Sequence, residues 1–236
     1  MSIEVKNLTK TYKLQKALDH ISFTTKSNHI IGFLGPNGAG KSTTMKTLAG
    51  ILPLEQGICN INGINIKDNP LLVKKTIGYL PENNPLYTDM YVQEILHFEA
   101  QVHKLANSRE RIKEVIALTG LQQEQHKKVS QLSKGFKQRV GLALAIIHDP
   151  KVLILDEPTT GLDPNQIIEI RSLIQQLAIN KTVFLSTHIM QEVEAICQEV
   201  IFIHRGQIKD HFLIEEREKK YPDLNMEDIF VKLTNP

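Results

Sequence analysis

No run of apolar residues in this 236-residue chain is long enough to cross a bilayer, and its start, MSIEVKNLTK, lacks the apolar stretch of a secretory leader. The chain is therefore expected in the cytoplasm unless a partner holds it at a membrane. Cysteine is scarce: Cys59 and Cys197 sit far apart, without metal-ligand spacing, and are expected in the core. An excess of one charge is lacking as well. The formal net charge of +2 gives no electrostatic basis for a nucleic-acid partner. No internal repeat or low-complexity segment breaks the chain. Hydrophobic residues make up 41% and charged residues 23%, as in an ordinary globular protein, and the length suits one domain with subdomains.

The most informative stretch is GPNGAGKST, comprising Gly35, Pro36, Asn37, Gly38, Ala39, Gly40, Lys41, Ser42 and Thr43. It fits G-x-x-x-x-G-K-[ST] between an apolar run at 29–34, read as a buried strand, and a helical run at 42–49. Glycines let the backbone turn several N–H groups toward one anion. The helix N-terminus adds partial positive charge at the same place. Lys41 supplies a full charge for β- and γ-phosphates, and the Ser42 hydroxyl is a hard oxygen suited to Mg²⁺.

Upstream, residues 3–8 and 18–25 read as strands of an antiparallel edge, with Tyr12 between them as a surface aromatic or a platform for a flat base. Downstream, Asn62 and Gly63 separate short apolar runs, a hairpin signal. Residues 77–80 read as a strand closed by Pro81, with Glu82 in the loop beyond. Apolar residues then recur at helical spacing over 92–105 and 112–119, with Ser108 as an N-cap and Gly120 as a stop. Residues 140–147 read as a buried helix. KVLILD at 151–156 is a continuous apolar strand of the parallel-sheet kind, with Asp156 and Glu157 at the end where ligands sit in open α/β sheets. Asp163 and Pro164 form an N-cap and first-turn pair. Residues 182–186 form another buried strand that delivers His188, and 199–204 with 207–212 close as a hairpin.

Hydrolysis of a phosphoanhydride needs a cradle, Mg²⁺, a group that places the attacking water and charge stabilisation. The cradle is at 35–42, Asp156 is placed to hold the Mg²⁺ shell, and Glu157 is placed to polarise water. Taken in order, these motifs resemble the nucleotide-binding subunit of an ABC transporter over essentially the whole chain. Tyr12 matches the base-stacking aromatic, GPNGAGKST matches Walker A, and Glu82 falls at the Q-loop glutamine. LSKGFKQR resembles the LSGGQ signature through Ser133 and Gly135, VLILDEP matches Walker B, Asp163 lies in the D-loop, and His188 matches the switch histidine. Lys134 and Phe136 depart from the signature, and Glu82 puts a carboxylate where the family usually has an amide.

The resemblance implies a P-loop NTPase fold, α/β, with a RecA-like parallel core, an N-terminal antiparallel β subdomain and an inserted α-helical subdomain. The expected division of the single domain 1–236 is 1–87 with 150–236 as core and 88–149 as the helical part. It further implies ATP and Mg²⁺ as cofactors, with catalytic roles for Glu157, His188 and Glu82 and metal contacts from Ser42, Asp156 and Glu82. The implied partners are a transmembrane permease on the inner face of the cell membrane and a second ATPase subunit in a head-to-tail dimer, with Ser133 and Gly135 of one subunit closing over ATP bound to Lys41 of the other. Within the family, the segments GYLPENNPLY and LSKGFKQRV resemble drug-export and gliding-motility ATPases.

Other readings fit less well. Soluble ABC-type ATPases that remodel nucleic-acid or ribosomal complexes usually carry two sites in one chain or a long coiled-coil insertion. A GTPase would need a guanine-reading Asp that Asn180 and Lys181 lack. A small-molecule kinase needs no signature, and a structural module needs no combination of Lys41, Asp156 and Glu157.

Overall fold

A computed structural model of the chain describes residues 2–235; Met1 and Pro236 lie outside them. The chain opens with β1 (Ile3–Tyr12) and β2 (Gln15–Thr24), followed by β3 (Ile30–Leu34), α1 (Lys41–Leu48), β4 (Gln56–Ile61), β5 (Ile64–Asn65), α2 (Pro70–Thr76) and β6 (Ile77–Leu80). Three helices follow without an intervening strand: α3 (Val92–Val102), α4 (Ser108–Leu118) and α5 (Lys134–Ile146). The chain then alternates again through β7 (Val152–Asp156), α6 (Pro164–Leu177), β8 (Thr182–Thr187), α7 (Met190–Ile196), β9 (Glu199–His204) and β10 (Gln207–Leu213), and ends in α8 (Arg217–Lys220) and α9 (Met226–Thr234).

Four strands form an antiparallel sheet in the order β2–β1–β4–β5. β1 is longer than its sequence pattern predicts, reaching Tyr12, which pairs with Gln15. Register shifts between Val5 and Leu8 and between Leu8 and Lys10 interrupt the apolar–polar alternation, and Asn7 adopts φ of 50° there. A bulge breaks the period-two signal without ending the strand.

The second sheet runs β10–β9–β3–β8–β7–β6, with β10 antiparallel at one edge and the rest parallel. β3, β7 and β8 are buried at every position, which is why their sequences are continuously apolar or small. Their register places Leu34 opposite Thr187 and Asp156 opposite Ser186, so the three strands end level with one another.

One core lies between the two sheets. Phe23, Phe33 and Phe184 pack there with ring centroids 5.2–5.9 Å apart, beside Met45 and Leu48 of α1. The other lies beyond the parallel sheet, where Ile95 and Leu96 of α3, Val115 of α4 and Val140 of α5 join Leu80 and Leu153. α5 approaches β6 closely because Gly78 has no side chain: a Cβ there would lie 2.0 Å from the Ala145 carbonyl oxygen.

Three local readings are corrected. Asn107, not Ser108, occupies the N-cap of α4, and Ser108 opens the helix. α5 begins at Lys134 rather than near 140, because Ser133 caps it and the LSKGF residues form its first turn. α2 gave no periodic signal, since Val73 is its one buried residue.

At the end of α5, His148 stacks on His103 with centroids 3.9 Å apart and donates from Nε2 to the Ile77 carbonyl at 2.8 Å. Burial, reinforced by the neighbouring His103, pushes the His148 pKa down to about 4. An unfolded histidine titrates near pH 6.5, so between these values the unfolded chain binds the extra proton. Folding stability should thus be constant above pH 6.5 and fall on acidification toward pH 4, by on the order of 1 kcal/mol once solvent screening is allowed for. Urea denaturation across this range tests it: His148→Gln should flatten that part of the profile, and an unchanged profile would remove His148 as its cause.

Candidate functional site

The loop between β3 and α1 is pressed into place by its glycines. A Cβ at Gly35 would lie 2.3 Å from the Ile203 carbonyl oxygen, and one at Gly40, where φ is 110°, would lie 2.8 Å from the Ala17 carbonyl oxygen. No side chain caps α1 and no acidic residue occupies its first turn, so its N-terminal N–H groups can serve an anion. Lys41 is almost fully buried. Its Nζ donates to the carbonyl of Gly35 at 2.7 Å and of Pro36 at 3.3 Å, and stands 3.2 Å from Glu157 Oε1.

Asp156, fully buried at the end of β7, accepts at Oδ1 from Ser42 Oγ at 3.1 Å and from Ser186 Oγ at 2.6 Å. Its Oδ2 is buried without a partner among the described residues. A buried carboxylate oxygen left unpaired beside a serine hydroxyl is a donor set that fits Mg²⁺.

Glu157 follows with φ of 50°, a left-handed conformation that is unfavourable for a side chain with a Cβ. Its N–H donates to Ser186 Oγ at 3.0 Å. Its Oε2 accepts from Thr160 Oγ1 at 3.1 Å and lies 2.8 Å from His188 Nδ1. One carboxylate oxygen is thus held by two donors while the other faces Lys41.

These groups line a cleft of about 640 Å³. Tyr12, Asn37, Gly38, Gly40, Lys41, Ser42, Thr43, Glu82, Glu157 and His188 all contribute to it, joined by Lys16, Thr160 and Arg205, which the sequence did not single out. Tyr12 is half exposed, with Lys10 Nζ 5.8 Å from its ring centroid. The Tyr79 hydroxyl is buried and unpartnered, and its pKa is driven upward by burial and then by the negative charges of Asp156 and Glu82. Ser186 was also missed; only its strand pairing with Asp156 identifies it.

Ser133, Gly135 and Asp163 lie outside this cleft. Ser133 Oγ accepts from Phe136 N at 3.3 Å, and Asp163 Oδ1 accepts from Gln166 N at 3.0 Å, so each caps its own helix. Ser133 and Gly135 line a separate depression with Arg139, Gln166 and Glu169. Lys134 crosses to the loop before α6, where a Cβ at Gly161 would lie 2.0 Å from its Nζ. One chain therefore assembles the cradle and its carboxylates but leaves the signature residues elsewhere.

Fold and cleft together define a phosphate-loop nucleotide-binding protein. A family model described as ABC transporter matches residues 18–160, and the chain belongs to the ATP-binding subunits of that family, which hydrolyse ATP. The bacitracin transport ATP-binding protein BcrA of Bacillus licheniformis is 39% identical over 233 residues, covering 96% of this chain and 75% of that protein. Among solved structures, an ATP-binding subunit of an ABC transporter superposes with a TM-score of 0.88 at 27% identity and 99% coverage of both chains. A dimeric bacterial ABC transporter cassette, MJ0796, gives 0.82 at 25% identity over 90% of this chain and 98% of that one.

Lys41→Ala removes the ammonium from the cradle and leaves Glu157 facing the phosphates unscreened. ATP affinity measured by calorimetry should fall by roughly 100-fold, the scale of a lost charge-assisted contact. Unchanged affinity would contradict the assignment of the cradle.

Proposed function

We propose that this chain energises an export-type permease from the inner face of a membrane, as one of two Mg²⁺-dependent ATPase subunits that share their active sites head to tail. The observation that carries this reading is the division of the site, with Lys41, Ser42, Glu157 and His188 in one cleft and Ser133 and Gly135 outside it. In a head-to-tail pair, Ser133, Gly135 and Asp163 of one subunit complete the cleft of the other. The dimeric form of the MJ0796 cassette supports this arrangement. No helix among the described residues is long and apolar enough to cross a membrane, so attachment falls to a separate permease. The bacitracin-transport relative supports drug export over the gliding-motility alternative. Residues 88–149 act in this reading as the helical subdomain that carries the signature.

The cleft's hydrogen bonds suggest how its residues act. The purine stacks on Tyr12, and the loop N–H groups with Lys41 bind the phosphates. Ser42 and Asp156 would hold Mg²⁺, which would supply charge neutralisation at the phosphates. Lys41 Nζ is engaged by two carbonyls and by Glu157 Oε1. Phosphates draw the ammonium away and release that oxygen. Thr160 and His188 keep Oε2 fixed, so Oε1 is the free acceptor for the proton of the attacking water. Glu82, on the loop after β6, reports the filled cleft to the permease.

Glu157→Gln keeps the shape of the side chain but is too weak a base. Turnover should drop at least about 100-fold, while ATP still binds and holds two chains together. Light scattering behind size exclusion, with and without ATP, tests this. A monomer in both conditions, with wild-type turnover, would contradict the base and the dimer together.

A further inference from the structure

Behind Glu157 stands a second buried carboxylate that the scheme above does not use. Glu192, in the first turn of α7, is 2% exposed. Its Oε2 accepts from Thr187 Oγ1 at 2.5 Å, and its Oε1 accepts from Thr159 Oγ1. Thr187 Oγ1 in turn accepts the Ile189 N–H at 3.0 Å, which commits the hydroxyl proton to Glu192. The nearest cation is Arg171, whose Nη2 is 3.8 Å from Oε1, beyond hydrogen-bond reach, and whose Nε is buried and unpartnered among the described residues.

The partners of the two carboxylates are neighbours in the chain. Glu157 Oε2 is held by Thr160 and His188. Glu192 is held by Thr159 and Thr187, the residues immediately before them. The loop after β7 and the end of β8 are thus tied together twice, in front through Glu157 and behind through Glu192. A buried carboxylate whose ion-pair partner Arg171 comes no closer than 3.8 Å is a costly way to fill space, and an apolar side chain would fill it better. What the carboxylate provides is acceptor capacity for two hydroxyls from two different loops at once.

We infer that Glu192 is a positioning residue for ATP hydrolysis. It fixes the separation of the Thr159–Thr160 segment from the Thr187–His188 segment, and so keeps Glu157 Oε2 in both of its hydrogen bonds with Oε1 turned to the cleft. It does not line the cleft. The inference rests on Glu157 being the base, and that premise fails separately: a Glu157→Gln chain that retains turnover removes the premise whatever Glu192 does.

The test is steady-state ATP hydrolysis, with kcat and KM measured for Glu192→Gln, Glu192→Ala, Thr159→Val and Thr187→Val, each normalised to the nucleotide-binding fraction. Glu192→Ala should lower kcat roughly 10- to 100-fold, the scale of a misplaced catalytic group, with KM for ATP within about twofold. Glu192→Gln, which keeps one acceptor oxygen, should recover most of the loss. Should Glu192→Ala not fold, Thr159→Val carries the test, because it removes one hydroxyl at nearly constant volume and should lower kcat several-fold at unchanged KM. If kcat stays at the wild-type value in Glu192→Ala, or in Thr159→Val where Glu192→Ala does not fold, and only the melting temperature falls, Glu192 is structural and the inference is overturned.

Discussion

Three parallel strands, β3, β8 and β7, end level with one another, and the cleft exists because they do. Their register sets Leu34 against Thr187 and Asp156 against Ser186. The loops that leave these ends therefore start from one line, and a phosphate loop, a pair of carboxylates and a histidine meet without any long-range reach. Slipping one strand would reverse the faces of its side chains and separate Lys41 from Glu157. Full burial of all three strands makes such a slip costly, because polar residues would then enter the core.

Charge is the second constraint. Glu157 and Glu82 line the cleft, and Asp156 bonds to Ser42 of that lining, while Lys41 stands 3.2 Å from Glu157. Without nucleotide, the chain manages this by pairing Lys41 with Glu157 and by donating two serine hydroxyls to one oxygen of Asp156. The other oxygen of Asp156 stays unpaired. That unpaired oxygen beside the Ser42 hydroxyl is the feature that fits a divalent cation. In the proposed scheme binding is coupled to catalysis, since the ammonium that would receive the phosphates is the group that faces the proposed base.

Much of this was legible in the sequence, for physical reasons that differ by residue. The phosphate loop reads directly because its chemistry is local, with glycines, lysine and serine fixed by one turn. β7 and β8 read directly because burial on both faces leaves only apolar or small residues. β1 was cut short because bulges erase alternation, and α2 was missed because a short surface helix has no periodic face. Ser186, Thr159 and Glu192 were invisible because each matters through a partner about thirty residues away, a distance that only the folded sheet closes. Ser133, Gly135 and Asp163 were named from resemblance, and their positions outside the cleft, with Ser133 and Asp163 as helix caps and Gly135 in the first turn of α5, come from the fold.

The central claim is that one chain holds half of a working site. It is tested most directly by mixing two inactive chains, Lys41→Ala with a sound signature and Gly135→Asp with a sound cradle, and measuring ATP hydrolysis while native mass spectrometry counts the mixed dimers. The account predicts that each chain alone is inactive and that the equimolar mixture regains activity in proportion to the mixed dimer, through its one intact composite site. Mixed dimers that form in quantity and stay inactive would contradict it.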